Sequence, residues 1–408
     1  MSERRESNPP FTARLGDRSL YPDLTALAYL NHGGISPASI AMRHAVTTVV
    51  DDYGKHGAGA FPHWMEQRSR LKGKLARMIG VRPDDLAFVP NTTRGVIDIA
   101  LCFPWEKDDR LVVFAGEFPA NVTPWQQAAS TFGLEVIFLP VSDFFESEEQ
   151  GLTRLQQTLS RGGVRLVAVS AVEFQTGLPM PLGKLATLCH AHGAELFVDA
   201  VQALGAVPLD AGKTDIDYLA CGSHKWLMGL EGAGFVYIRP DRVPLLRPTV
   251  AGWLSHEEGL RFLFEGEGLL RYDRPIRKSA SFLEGGNFNT IGLAALEASV
   301  DLILSLGVQT IYEYINGYNN RLETGLLERG LRSLRQPEPE RRSATLSMLP
   351  AASSGVTVVA LHKELNARGI ACATPDGVLR FTPHWPNHLG EIPRVLAAMD
   401  ESLAALGG

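Results

Sequence analysis

The sequence predicts an α/β fold, with a mostly parallel sheet covered by helices on both faces and a smaller α+β domain at its C-terminal end. One observation is that short apolar runs alternate with amphipathic helical patterns along most of the chain. This alternation favours parallel strands, because such strands need long crossover connections. A second is the length of 408 residues, with 45% hydrophobic and 21% charged, which is typical of a soluble protein with a large and a small domain.

The sheet is predicted to contain seven strands. Each is a short apolar run bounded by polar or turn-forming residues. The runs lie at residues 86–89, 110–115, 134–139, 164–169, 195–198, 218–220 and 234–238. Too few residues separate the last two runs for a helical crossover, so the last strand is expected to run antiparallel to its neighbour.

Helical patterns flank and connect these strands. They predict helices at residues 41–53, 64–79, 93–101, 124–131, 152–160 and 182–192. A further helical pattern at 293–334 is expected to connect the two domains, and a surface loop follows at 335–342. Segments 355–361, 362–368 and 378–382 and a helix at 392–406 then form the small domain. The expected division is a polar arm at 1–20, a large α/β domain at 21–292 and a small α+β domain at 293–408.

Composition excludes several classes of function. The net charge of −6 argues against a general affinity for nucleic acid or anionic membranes. The four cysteines lie far apart, so neither a disulfide framework nor a metal site is expected. Residues 1–10 lack the apolar core of a signal peptide, and no apolar run is long enough to span a bilayer. We therefore expect a soluble, cytoplasmic protein.

An apolar strand ends in a carboxylate at Asp199. A lone charge at a buried strand end is costly unless it has a partner. Capping of the next helix is the simpler interpretation of this residue taken alone. Gln202 follows about one helical turn later, which places its amide near the same point.

Lys225 lies in the sequence Gly-Ser-His-Lys-Trp at 222–226, directly before a glycine-rich stretch at 229–234. Its small and apolar neighbours hydrate an ammonium group poorly. Such surroundings lower a lysine pKa and favour an imine with an aldehyde. The adjacent Ser223 and His224 are candidates for binding phosphate.

Together, Val-Asp-Ala-Val-Gln at 198–202 and Ser-His-Lys at 223–225 resemble the class V aminotransferase family of fold-type I enzymes that depend on pyridoxal 5′-phosphate (PLP). The resemblance extends from about Tyr29 to the C-terminus. It implies that Lys225 holds PLP as a Schiff base and is the catalytic residue. It also implies that Asp199 keeps the pyridine nitrogen of PLP protonated and that Gln202 donates a hydrogen bond to the phenolic oxygen.

The resemblance gives two further segments a place at the cofactor. Thr92 and Thr93 open a helix after the first strand, and a helix N-terminus suits a phosphate group. By resemblance, both threonines hold the phosphate of PLP. Phe118 is expected to stack on the cofactor ring.

The same resemblance predicts the residues that bind the substrate, a small amino acid. Arg380 is expected to bind the α-carboxylate, because a guanidinium group can donate two parallel hydrogen bonds. Asn31, His32, Asn121 and Gln175 are expected to face the substrate or the edge of the cofactor.

The segment at 284–290 resembles the stretch that reaches the phosphate of the neighbouring subunit in this family. Asn287 lies where the family usually has a threonine, so either Asn287 or Thr290 is expected to make the contact. A shared active site implies an obligate homodimer.

The reaction remains open among several kinds. The branch that includes isopenicillin-N-epimerase-like proteins fits best, with β-elimination at the C–S bond of a cysteine-type substrate as the favoured reaction. Transamination is the main alternative, followed by epimerisation or decarboxylation. Kynureninase is disfavoured because His224 precedes the lysine where a tyrosine is expected.

Two other functions are disfavoured. A persulfide-forming cysteine desulfurase needs a mobile cysteine before the arginine, and Cys372 lies only eight residues before Arg380 on a short segment without flanking histidines. A PLP-fold protein that binds without turnover is the least expected, because such relatives usually lose the lysine or the aspartate.

Overall fold

The computed structural model describes residues 11–407, and the predictions for residues 1–10 lie outside this range. The strands are β1 (Ala28–Tyr29), β2 (Leu86–Val89), β3 (Arg110–Ala115), β4 (Glu135–Pro140), β5 (Val164–Ser170), β6 (Glu195–Asp199), β7 (Tyr218–Gly222), β8 (Gly234–Ile238), β9 (Arg332–Ser333), β10 (Leu346–Leu349), β11 (Ile370–Ala371) and β12 (Leu379–Phe381). The helices are α1 (Ile40–His56), α2 (Phe61–Met78), α3 (Thr92–Cys102), α4 (Thr123–Phe132), α5 (Ser142–Glu146), α6 (Glu148–Leu159), α7 (Leu182–Ala191), α8 (Arg261–Phe264), α9 (Thr290–Leu306), α10 (Val308–Glu328), α11 (Val358–Ala367) and α12 (Ile392–Ala405).

A seven-stranded sheet in the order β2-β8-β7-β6-β5-β3-β4 forms the centre of the molecule. β8 is antiparallel to both of its neighbours, and every other pair in this sheet is parallel. The prediction of seven strands with one antiparallel strand is therefore confirmed. Strands β7 and β8 are buried along their whole length, as expected for a sheet with helices on both faces.

The carboxyl ends of β2, β6 and β7 lie at the same edge of this sheet, where open α/β sheets bind their ligands. Helix α3 begins at that edge and lies close to the sheet at Gly95. A Cβ atom at this glycine would be 2.7 Å from Cγ2 of Val236 and 2.9 Å from Cβ of Ala220. The glycine therefore allows the close approach that brings the start of α3 to the ends of the strands.

The helical pattern predicted at 293–334 forms two helices instead of one continuous connection. α9 and α10 are bent by 78° at Gly307, which has a φ of 82° that favours glycine. α9 packs against α1 and α2, and much of its surface is buried.

Within residues 11–407 no single helix is long and apolar enough to cross a membrane. The bent pair of α9 and α10, taken together, has the length and the apolar composition of a membrane span.

The C-terminal part contains a three-stranded antiparallel sheet, β12-β10-β9, packed with helices α10, α11 and α12. α11 runs through the two segments that were predicted separately at 355–361 and 362–368. β1 pairs in parallel with β11, so the N-terminal segment joins this part of the fold. The division of the chain at residue 292 stays a prediction.

Candidate active site

Lys225 lies in a tight turn after β7. Its carbonyl oxygen accepts hydrogen bonds from the Ser36 hydroxyl at 2.7 Å and the Met228 amide at 2.9 Å. Met228 has a φ of 56°, an uncommon value for a residue with a side chain. Burial lowers the pKa of Lys225 to about 8, against the opposing effect of the Asp199 carboxylate. The turn therefore holds an amine that loses its proton more readily than an exposed lysine.

Asp199 ends β6 and is only 2% exposed. Its Oδ1 accepts a hydrogen bond from the Val201 amide at 2.9 Å. Burial raises the pKa of this carboxyl to about 6, although the Val201 N–H and the charge of Lys225 act in the other direction. One backbone hydrogen bond and the charge of Lys225 offset only part of the cost of burying this carboxylate. A positively charged ligand atom beside it would offset the rest.

Gln202 lies between Trp226 and Gly33. Its Oε1 accepts a hydrogen bond from the indole Nε1–H of Trp226 at 2.9 Å, and its Nε2 donates to the carbonyl of Gly33 at 3.1 Å. One N–H of the amide is left for another acceptor. Sequence reasoning did not single out Trp226, whose only signal was an indole N–H donor directly after the lysine.

The start of α3 meets the end of β7. Oγ1 of Thr92 accepts a hydrogen bond from the Gly222 amide at 2.8 Å, and Thr93 is exposed at the helix N-terminus. A Cβ atom at Gly222 would be 3.1 Å from Thr92 Oγ1 and 3.3 Å from Nδ1 of His224. Thr92 and His224 thus lie on either side of one point, and Thr93 follows Thr92 in the first turn of α3. The hydroxyl of Ser223 instead donates to the carbonyl of Leu230, so its proton is not available to a phosphate there.

Phe118 is 45% exposed and borders the lysine. The Nζ atom of Lys225 lies 5.4 Å from the centroid of the Phe118 ring. An edge-to-face contact with Phe174, at 5.5 Å between centroids, supports the ring from another side. An open aromatic face next to the amine can cover a planar ligand.

A second acid, the half-buried Glu117, also lies near Asp199 and was not identified from the sequence. Burial raises its pKa to about 7, and the amide of Ser170 donates to it at 2.6 Å. Asn121 is fully buried beside it, with Oδ1 accepting from the indole of Trp125 at 3.1 Å. Nδ2 of Asn121 makes no hydrogen bond of good geometry within the described part of the chain, although the Asn121 side chain contributes to lowering the pKa of Glu117.

Arg380 lies on β12 and is 5% exposed. Its Nη1 donates to the carbonyl of Phe174 at 2.6 Å, whereas its buried Nε has no partner in the described part of the chain. Burial lowers its pKa to about 10, with Glu173 opposing, and its charge helps to lower the pKa of Lys225. Gln175 is next to this contact, and its Nε2 donates to Asp376 at 2.8 Å.

The predicted substrate-facing loop near the N-terminus is only partly open. Oδ1 of Asn31 is buried, and no protein donor in residues 11–407 reaches it. His32 is 2% exposed, its Nδ1 lies 2.8 Å from Oγ of Ser36, and its ring contacts the ring of His384. His32 therefore lies beneath the Lys225 turn, in contact with protein atoms, which differs from the substrate-facing position expected from the sequence.

Asn287 and Thr290 lie at the beginning of α9, Asn287 just before the helix and Thr290 as its first residue. Asn287 is exposed and Thr290 is half-buried at the start of α9. Asn287 lines a cavity of about 340 Å³ together with Arg94 of α3 and Gly232. This cavity borders helix α3 directly after the predicted phosphate-binding residue Thr93.

The residues that do meet fit PLP. Lys225 supplies an amine with a lowered pKa, Asp199 a buried carboxylate for a ring nitrogen, and Phe118 an aromatic face. The N-terminus of α3 provides free N–H groups for a phosphate. The orphaned Nε of Arg380 adds a donor for an anionic group.

Comparison with known proteins identifies the family. The model of the class-V aminotransferase family matches residues 58–378. A Bacillus subtilis (strain 168) protein named uncharacterized aminotransferase YcbU is 25% identical over 400 residues, which are 95% of this chain and 96% of the relative. A cysteine desulfurase of Escherichia coli (strain SE11) is 27% identical over 304 residues, 71% of this chain and 70% of the relative.

Solved structures share the fold. A mutant of C-DES with glycine covalently linked to its PLP cofactor matches with a TM-score of 0.84 and 24% identity, over 94% of this chain and 98% of the other. The complex of the cystine C-S lyase C-DES with its reaction product cysteine persulfide gives 0.82 and 23%, over 92% and 97%. The fold-type I architecture is therefore confirmed. Because the family model covers most of the chain, this protein belongs to the class-V aminotransferase family and is a PLP-dependent enzyme.

Proposed function

We propose that this enzyme belongs to the isopenicillin-N-epimerase-like branch of the family, whose chemistries vary, and that it cleaves the C–S bond of a cysteine-type amino acid by β-elimination. The observation that carries this proposal is that all four cysteines are buried. An enzyme without an accessible thiol cannot take sulfur onto itself from the substrate. The sulfur must then leave in the product.

Cys372 is the residue on which the distinction depends. It is 4% exposed directly after β11, and burial raises the pKa of its thiol to about 12. Its carbonyl oxygen is 3.1 Å from Nε2 of His362, which helps to fix the backbone. A buried protonated thiol on a short segment is a poor nucleophile. This supports elimination over a persulfide-forming desulfurase.

The proposal assigns a task to each side chain. When bound, PLP withdraws electrons from the α-carbon of an attached amino acid. Lys225 holds the cofactor and then accepts the α-proton at Nζ. Asp199 keeps a proton on the ring nitrogen, Gln202 donates its free N–H to the phenolic oxygen, and Arg380 binds the α-carboxylate.

The elimination balances without another reagent except water. The Cα–H bond breaks and its proton goes to Nζ of Lys225, while the Cβ–S bond breaks with its electron pair on sulfur. A double bond forms between the two carbons, and hydrolysis of the three-carbon fragment gives pyruvate and ammonia. No cysteine of the enzyme takes part.

Transamination is the second candidate reaction, because the curated relative that covers 95% of this chain is named an aminotransferase. The test is to incubate the holoenzyme with cystine, cysteine, cysteine conjugates and common amino acids. Pyruvate and ammonia from a cysteine derivative support elimination. The amine form of the cofactor accumulating with another amino acid, while all cysteine derivatives are inert, would show that transamination is the correct assignment.

The Cys372→Ala variant separates elimination from desulfuration. Elimination predicts that pyruvate formation falls less than about twofold, because no step uses the thiol. Loss of all sulfur release in this variant, with the fold intact by circular dichroism, would instead identify Cys372 as a sulfur acceptor.

A further inference from the structure

Two neighbouring groups determine which way the amide of Gln202 faces. The indole N–H of Trp226 can only donate, so the atom 2.9 Å from it must be the amide oxygen of Gln202. The carbonyl of Gly33 can only accept, so the atom 3.1 Å from it must be the amide nitrogen. Both contacts require the same orientation, and the remaining N–H then faces away from Trp226 and Gly33.

Both of these neighbours are themselves held by the C-terminal part of the chain. Nδ1 of His384 accepts from the amide of Trp385 at 2.8 Å, so its proton lies on Nε2, which donates to the Trp226 carbonyl at 3.0 Å. Burial lowers the pKa of His384 to about 4, which keeps this tautomer neutral. The amide of Gly33 donates to Oγ1 of Thr382 at 2.9 Å. Residues 382–384 therefore secure both sides of the Gln202 amide.

We propose that Trp226 is a positioning residue that acts through Gln202, fixing the Gln202 amide so that its NH₂ group faces the phenolic oxygen of PLP. The inference rests on the proposed role of Gln202. Without the indole N–H, the buried oxygen of Gln202 loses its donor, and only the Gly33 carbonyl still favours this orientation, so the amide turns over more readily. A carbonyl oxygen would then face the phenolic oxygen, and the two acceptors would repel each other.

The test is a pH titration of the visible absorbance band of the PLP-loaded enzyme. A donor on the phenolic oxygen stabilises its anion, so loss of the donor raises the pH at which the band changes. We expect Gln202→Leu to raise this midpoint by about one pH unit. Trp226→Phe should shift the midpoint in the same direction, and the double variant should shift it no further than Gln202→Leu alone.

Trp105→Phe is the matched control. It also removes a buried indole N–H, which donates to the carbonyl of Ala100 at 2.8 Å, remote from the proposed cofactor site. Its midpoint should equal that of the wild type. If Trp226→Phe does not fold, benzothienylalanine at position 226 keeps the two-ring shape without the N–H and should give the shift.

The outcomes separate the two proposals. No shift in Gln202→Leu would show that Gln202 has no role at the phenolic oxygen, which contradicts the task that the proposed function gives to Gln202. A shift in Gln202→Leu with none in the Trp226 variants, or shifts that add fully in the double variant, would overturn the coupling of Trp226 to Gln202. If the Trp226 variants keep the wild-type midpoint but have a lower melting temperature, Trp226 contributes to packing only.

Discussion

Asp199 and Lys225 each tend towards their neutral form at the buried edge of the sheet. Burial raises the pKa of Asp199 to about 6 and lowers that of Lys225 to about 8, while each charge partly stabilises the other. A carboxylate in this position destabilises the protein until a cation arrives to pair with it. The protonated ring nitrogen of PLP would supply that cation and reduce the electrostatic cost of burying the carboxylate.

The Asp199→Asn variant tests this electrostatic cost. The folded pKa of about 6 exceeds the ordinary value of 3.8, so the folded apoprotein binds more protons than the unfolded chain between these values. Stability due to this group therefore falls as the pH rises from about 4 to 6. We expect Asp199→Asn apoprotein to be more stable than the wild type by about 2–3 kcal/mol at pH 7, and equally stable near pH 4.

Urea unfolding at several pH values measures this difference, with the exposed Asp51→Asn as the control for loss of a negative charge. PLP should stabilise the wild type more than the Asp199→Asn variant. A stability difference that does not depend on pH would contradict the account of Asp199.

At the scale of residues, the sequence indicated several side chains that the structure places close together, but not the contacts that hold them. Lys225, Asp199 and Gln202 were predicted from motifs that follow strands. The positions of Glu117 and His384 were not, because each depends on contacts between segments far apart in the chain. His32 was expected to face the substrate, but it is buried because Ser36 and His384 surround its ring.

At the scale of elements, the start of α3 depends on how closely the helix approaches β7 and β8. Gly95 faces the side chains of Val236 and Ala220 at distances that leave no room for a methyl group. The hydrogen bond from Gly222 to Thr92 adds a second link between the helix and β7. Any outward shift of α3 would move its N-terminus away from the predicted phosphate position.

We expect Gly95→Ala to destabilise the protein by about 1–3 kcal/mol, because the added methyl group overpacks the interface. The dissociation constant of PLP should increase severalfold. Gly317→Ala, at an exposed position in the middle of α10 with no atom within 4 Å, should instead stabilise by about 1 kcal/mol. Thermal unfolding and PLP titration measure both effects, and a neutral Gly95→Ala would disprove the close contact.

The elements themselves were well predicted where the pattern is local. The seven strands of the main sheet begin and end within two residues of the predicted bounds, because apolar runs bounded by turn residues are local signals. The pairing of β1 with β11 was missed, since two-residue strands carry no pattern. The break between α9 and α10 was signalled only by Gly307, and a glycine in a helical pattern does not always end the helix.

At the scale of the whole molecule, we predict a homodimer with shared active sites. Asn287 is exposed in the single chain, where a second subunit can contact it. Sedimentation equilibrium should give twice the 44.4 kDa mass of one chain. Asn287→Ala or Thr290→Ala should weaken PLP binding without changing that mass. A monomer that binds PLP as tightly as the dimer would contradict the shared site.

The central claim is that Lys225 holds PLP covalently. The most direct measurement is to reduce the PLP-loaded enzyme with borohydride, digest it, and locate the added cofactor mass by mass spectrometry. The account predicts the label on the peptide that contains Lys225, and its loss in Lys225→Ala. A label on another lysine, or none in protein that has PLP bound, would contradict it.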